Sequence, residues 1–330
     1  MFSLKGTTAR HRVLTAALLA GLCAPLAACS SEPDPFEGIP VFPVDAADVE
    51  LLAEGENPQV LRYSDHADSN ADGKDATQTT VAISAGIDQA TAEAGVEVDE
   101  NAPAGGDVNT TTLPLDIVAK PAPAPEGDEQ EASREIDFTV GSGKHTDLNI
   151  GQDVASAEGF LMRWRADDRG EISTLQLLAP PEAAPRGLQL VEPALLSLVT
   201  TNVIFPEDPV GVGGTWTVKN RVAGDTTMVR TTTYTVEGIE GDEVTLGVDV
   251  DENPSQSSVT IDNDVAGELD GSDVEVESTS TTSEGRVVVN LRQPLPASGQ
   301  VAATTRLVYS GGNEQARVVQ DITRAVRYGD

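Results

Sequence analysis

Three groups of residues have types and spacing that could do chemistry. Cys29 is a thiol that directly follows Leu26-Ala27-Ala28 at the end of an apolar stretch. Asp68-Ser-Asn70-Ala-Asp72-Gly73 places oxygen donors at alternate positions, where Asp68, Asn70 and Asp72 could converge on one Ca2+ ion while Gly73 allows the sharp turn. The plainer reading of that stretch is an acidic surface turn. Trp216 closes the run Phe205-Pro-Glu-Asp-Pro209-Val-Gly-Val-Gly213-Gly-Thr-Trp216, whose prolines and glycines force an irregular entry into a strand. Its ring is read either as part of a ligand rim or as a core anchor at a loop.

Other patterns fail on their own chemistry. Gly141-Ser-Gly-Lys144 invites a phosphate-loop reading, but Phe138 stands where a glycine is required and His145 where Ser or Thr should follow. No Gly-x-Ser-x-Gly nucleophile elbow occurs. His66 and His145 stand in polar stretches without the spacing of metal ligands. Acidic residues are so frequent that a pair of them is no evidence of hydrolysis.

The N-terminus reads as an export signal. Lys5, Arg10 and Arg12 precede an apolar stretch from Val13 to Leu22, which is too short to span a bilayer but suits a secretory signal. Leu26-Ala27-Ala28-Cys29 resembles the bacterial lipobox. That resemblance implies removal of residues 1–28 and a lipid on Cys29, with the body outside the membrane. Cys23 would be lost with the signal, leaving Cys29 as the one cysteine and no disulfide. Residues 29–45, with Pro33, Pro35, Pro40 and Pro43, read as a semi-rigid tether. The whole chain carries a formal charge of −33, and removing three basic residues and no acid takes it to −36. Such a surface repels nucleic acid and anionic headgroups alike.

Residues 46–330 read as one β-rich domain, with acidic loops near 65–75 and 120–133. Alternation with period 2 dominates, as in Val81/Ile83/Ala85/Ile87, Phe160/Met162/Trp164 and Val244/Leu246/Val248/Val250. The partners of Met162 and Trp164, Arg163 and Arg165, fall on the opposite face. Asp168-Arg-Gly170, Glu240-Gly-Asp242 and Ser310-Gly-Gly312 read as hairpin turns. A helix is expected over 192–202 with Pro193 in its first turn, and a weaker one over 88–94. The expected class is mainly β: antiparallel sheets, as a half-barrel or two lobes, with one or two helices packed on them. An open sheet wrapped round a helix and two packed sheets both satisfy the pattern.

Residues 68–73 resemble the first half of an EF-hand calcium loop, but Thr79 stands where that loop ends in Glu. The Pro-x-Gly-x-Gly-x-x-Trp segment and its surroundings resemble uncharacterised bacterial surface lipoproteins, mainly actinobacterial, a likeness that implies no activity. In architecture the chain is also similar to mycobacterial lipid-carrier lipoproteins, half-barrels of sheet over helices. The leading expectation is a non-catalytic envelope module that binds a lipid or a protein. The alternatives are a calcium-dependent adhesive protein and a cell-wall hydrolase using Asp and Glu.

Overall fold

The computed structural model describes residues 34–66, 76–93, 96–125, 129–222, 227–256, 258–260, 273–310 and 316–329. Two compact units emerge, residues 1–37 and 38–330. Of the first, the described part is a turn in which the Glu37 amide donates to the Asp34 carbonyl at 3.0 Å.

The second unit opens with β1 (Phe42–Pro43), β2 (Asp48–Ala53) and β3 (Glu56–Gln59). A first meander follows: β4 (Thr77–Glu93), β5 (Thr110–Pro121), β6 (Arg134–Val140), β7 (Lys144–His145), the short helix α1 (Gly151–Ala155), β8 (Leu161–Ala166) and β9 (Ile172–Leu178). Helix α2 (Pro185–Thr200) and β10 (Val210–Val212) lead into a second meander. Its strands are β11 (Thr215–Val222), β12 (Met228–Glu240), β13 (Glu243–Pro254), β14 (Ser258–Thr260), β15 (Asp273–Asn290), β16 (Ser298–Ser310) and β17 (Ala316–Tyr328).

Both meanders belong to one antiparallel sheet of order β1-β9-β8-β6-β5-β4-β17-β16-β15-β13-β12-β11-β2. The meanders join where the last strand, β17, pairs with β4 over its whole length, from Ala316↔Glu93 to Tyr328↔Val81. Residues 88–93, expected as a helix, are therefore strand: thirteen ladder partners along β17 outweigh a weak local helical preference.

The sheet is strongly curled but does not close. Its outermost strands, β1 and β2, are separated in the chain by Val44–Ala47 alone, a link that spans at most about 18 Å when extended. In a flat sheet of this order they would lie roughly 58 Å apart. The link is a strap across the remaining gap. Phe42 and Pro43, expected within the tether, pair with Leu175 and Thr174 and so already belong to the body.

Helix α2 lies inside the curl, so the open sheet wraps round a helix. Val191, Ala194, Leu195 and Leu198 form the buried stripe at helical spacing. They share one core with the inward residues of both meanders, among them Leu113, Phe138, Trp164, Tyr234, Leu246 and Val289. The helix starts at Pro185, not Pro193, because Val191 extends the stripe one turn earlier. Pro193 is interior to the helix, and its missing N–H removes one helical hydrogen bond there.

The outer face of the first meander is wet at Gln78, Asp116 and Thr139, as the alternation predicts, but covered over one patch. Arg163 and Arg165 are buried. Arg163 Nε donates to Asp137 Oδ1 at 2.5 Å, and Lys120 Nζ reaches Glu135 Oε1 at 2.9 Å. Described residues of the acidic loop cover this patch: Arg165 pairs with Glu129 and donates to the Pro123 carbonyl at 2.8 Å.

Candidate functional site

The site is built from a change in how β13 is paired. Its ladder with β15 ends at Gly247↔Arg286. Beyond that point the Val250 and Glu252 amides donate to side chains of β15 instead, to Ser283 Oγ at 2.9 Å and Thr281 Oγ1 at 3.1 Å. Gly285 permits the departure, since a Cβ there would lie 2.7 Å from the Val248 carbonyl oxygen. The outer halves of β12 and β13 thus lean over β16 and β17. Met228 of β12 packs in one apolar cluster with Leu307, Tyr309, Val318 and Ile322.

Between that outer cluster and the main core runs a polar belt on the inward face. Glu252, almost fully buried, lies at its centre. Thr305 Oγ1 donates to Glu252 Oε2 at 3.0 Å, and Arg324 Nη1 donates to the same oxygen at 3.2 Å. Arg230 Nη1 reaches Glu252 Oε1 at 3.4 Å. Burial, the largest influence, pulls the Arg230 guanidinium down from its ordinary value, and the Glu252 charge opposes this. Among the described residues the Arg230 Nε has no hydrogen-bond partner.

The belt borders open space. A cavity of about 410 Å³ lies between α2 and the sheet, lined by Ile83, Leu175, Leu196, Val222, Val301 and Val326 with Arg221, Arg230 and Arg324. Pro43 of β1 and Val44 of the strap also line it. A second cavity of about 420 Å³ adjoins it along α2 and shares Ile83, Ala85, Pro193, Ser197 and Arg324. Pro193, Leu196 and Ser197 sit on the side of α2 opposite its core stripe, so the helix packs with one face and lines the groove with the other. Among the described residues no Asp or Glu lines either cavity. The first cavity's wall therefore combines apolar side chains with hydroxyls of Ser84, Ser197, Thr200 and Thr201 and with cationic points, and the negative charge of Glu252 sits behind it.

Trp216 is not part of a ligand rim. Its side chain is fully buried, and its indole Nε1 donates to the Ile204 carbonyl at 2.8 Å. It stacks on Tyr234 with ring centroids 5.2 Å apart, and the Phe205 ring, tilted against it, lies 5.9 Å away. Tyr63 continues the row, 5.5 Å from Phe205, with the Arg134 guanidinium 4.2 Å above its ring. The glycines before Trp216 are needed by backbone approach. A Cβ on Gly211 would lie 2.0 Å from the Glu56 carbonyl oxygen, where β10 pairs with β3, and Gly213 has φ of +78°.

Cys29, Asp68, Asn70 and Asp72 lie outside the described residues. Asp65, a neighbour that could have completed a calcium site, is taken up by Arg134. Nε and Nη2 of Arg134 reach its two oxygens at 2.8 and 2.5 Å. His145 lines the second cavity, its Nδ1 accepting the Asp147 amide at 3.0 Å. Among the described residues no three His, Cys, Asp or Glu side chains converge as a metal site, and no helix is long and apolar enough to cross a membrane.

Residues 197–293 match a family of unknown function (DUF6263). The matched part runs from the last turn of α2 through β15. It contains Trp216, Arg230 and Glu252 but not Arg324, so it covers one side of the groove. No curated protein matches the chain.

The belt residues escape a motif search because they have no motif. A signal is nevertheless present in the strands' own period. Arg230 shares parity with Met228, Thr232 and Tyr234; Glu252 follows Val244, Leu246, Val248 and Val250; Arg324 stands between Ile322 and Val326. Three charges in inward registers, on strands mostly apolar at those positions, mark an internal polar site.

Proposed function

We propose that this protein is a membrane-anchored cell-envelope lipoprotein, held by a lipid on Cys29 and facing outward, whose β body is a non-catalytic module binding a lipid-like ligand. The observation that carries the binding reading is the apolar groove beside α2. A cavity of about 410 Å³ with a few polar groups at fixed positions has the size and lining of a small-molecule site. The charge of the wall supports an amphiphile over a neutral oil, since arginines stand among Ile, Leu and Val side chains. The anchor reading rests on the basic start, the short apolar stretch and Leu26-Ala27-Ala28-Cys29. The chain joins the body at Phe42–Pro43, beside the cavity, so a lipid on Cys29 would be linked to the groove by a short stretch of sequence.

Native mass spectrometry of the protein purified from a bacterial envelope tests the binding reading. The expected result is a co-purifying species of lipid mass that is released on unfolding. A body that purifies empty, and stays empty after incubation with an envelope lipid extract, would overturn it. For the anchor, labelled palmitate is expected on the wild-type chain, and Cys29→Ser is expected to abolish the label and move the protein out of the membrane fraction.

A further inference from the structure

Resting on the cavity-binding reading above, the arrangement of the polar belt specifies the ligand's head. We propose that the groove takes a single-chain carboxylate amphiphile, its acyl chain along Ile83, Leu175 and Val326 and its carboxylate on Arg324 and Arg230.

Charge is the first argument. In a chain of net charge −33, the described walls of the two cavities hold three arginines and no carboxylate. An anionic ligand is repelled by the outside of this molecule and attracted by the inside of the groove. Arg221, exposed at the mouth, makes no ion pair among the described residues and meets such a ligand first.

Unfinished hydrogen bonding is the second. Arg230 is only 4% exposed and lines the cavity, yet among the described residues its Nε–H finds no acceptor. A buried donor without a partner is unfavourable, and an oxygen brought by a ligand would satisfy it. Arg324 is a quarter exposed and borders both cavities, so its guanidinium is reachable from the groove.

The third argument is stoichiometric. Glu252 binds one nitrogen of each guanidinium, which fixes both in place and leaves the pair with one uncompensated positive charge. A carboxylate brings one negative charge and two acceptor oxygens in the spacing a guanidinium fork matches. A phosphate monoester brings nearly two charges to a belt that offers one.

Titration calorimetry of the full chain carrying Cys29→Ser, which removes only the acylation site, distinguishes the outcomes with four probes: palmitate, 1-monopalmitoylglycerol, hexadecyl phosphate and acetate. Palmitate is expected to bind about tenfold or more tightly than the neutral glycerol ester of equal chain length. Arg324→Gln is expected to cut that ratio to about threefold or less. Acetate, a head without a chain, is expected to give no saturable signal at millimolar concentration. Equal binding of palmitate and the glycerol ester by the unmutated belt would overturn the head assignment while leaving the cavity reading intact. Tighter binding of hexadecyl phosphate than of palmitate would overturn the one-charge match. No binding of any chain-bearing probe would remove the cavity reading itself. The comparison of heads needs no belt variant, so it decides the question even if Arg324→Gln fails to fold.

Discussion

Arg230 and Glu252 face each other in register across the β12–β13 ladder, and their side chains meet at 3.4 Å with 4% and 2% of their surfaces exposed. This is an ion pair inside the sheet, next to an apolar cavity. Such pairs add little net stability, because removing two charges from water costs about what their attraction returns. Their effect becomes large when one partner is lost.

Glu252→Gln is accordingly expected to destabilise the protein by about 3 kcal/mol, since Arg230 remains buried without a counter-charge. The double replacement Arg230→Met with Glu252→Met should recover most of that loss, because Arg324 is exposed enough to turn toward water. Urea unfolding at neutral pH measures both. A single variant with the wild-type midpoint would show that the belt is not buried as described.

Filling the groove separates folding from binding. Ala85 is exposed, lies on β4 and lines both cavities. Ala85→Phe should therefore fold with a melting temperature within a few degrees of wild type. Its expected effect is loss of the co-purifying lipid in native mass spectrometry. Undiminished occupancy would place the ligand elsewhere.

Trp216 should behave as a core residue and not as a binding residue. Trp216→Ala removes a fully buried indole and is expected to cost about 3–5 kcal/mol. Trp216→Phe keeps the ring stack on Tyr234 but leaves the Ile204 carbonyl without its donor, and so should cost less. Ligand affinity of the folded Phe variant should match wild type in the same calorimetric titration.

The Asp65–Arg134 pair predicts an acid transition. Burial pushes the Asp65 carboxyl up, but hydrogen bonds from His66 and Arg134 with the Arg134 charge outweigh it and hold it below the ordinary carboxylate value. A carboxyl whose folded value lies below its unfolded value of about 3.9 contributes stability at higher pH and loses it as pH falls through the folded value. Stability should therefore drop below about pH 4 in urea titrations repeated at successively lower pH. In Asp65→Asn that part of the slope should vanish, at a cost near neutral pH of about 3 kcal/mol from the buried, uncompensated Arg134.

Much of the strand content was legible because its signal is local. Val244/Leu246/Val248/Val250 is a strand on the pattern alone, since side chains on a pleated chain alternate faces whatever the strand pairs with. The turns at Asp168–Gly170 and Glu240–Asp242 were legible for the same reason. What failed was whatever a distant partner decides. Residues 88–93 look weakly helical until β17 pairs with them, and Arg165 looks solvated until Glu129 and Pro123 cover it. Pro185 and Pro193 are both good first-turn residues, and only the extra turn of core contact at Val191 decides between them.

The sequence by itself determined the mainly antiparallel β class, the acidic surface and the parity that turns Arg230, Glu252 and Arg324 to the same side of their strands as apolar residues. Those properties follow from composition and from a period of two, which need no knowledge of neighbours. Tertiary structure alone decided that β17 joins β4, that a four-residue strap crosses the gap between the sheet's edges, and that β13 leaves β15 after Gly247 to carry Glu252 over β16 and β17. Within each meander neighbouring strands pair, but the joining of the meanders and the curl of the sheet are set by pairings between residues more than a hundred positions apart. Three charged residues that the chain keeps separate therefore meet in one belt.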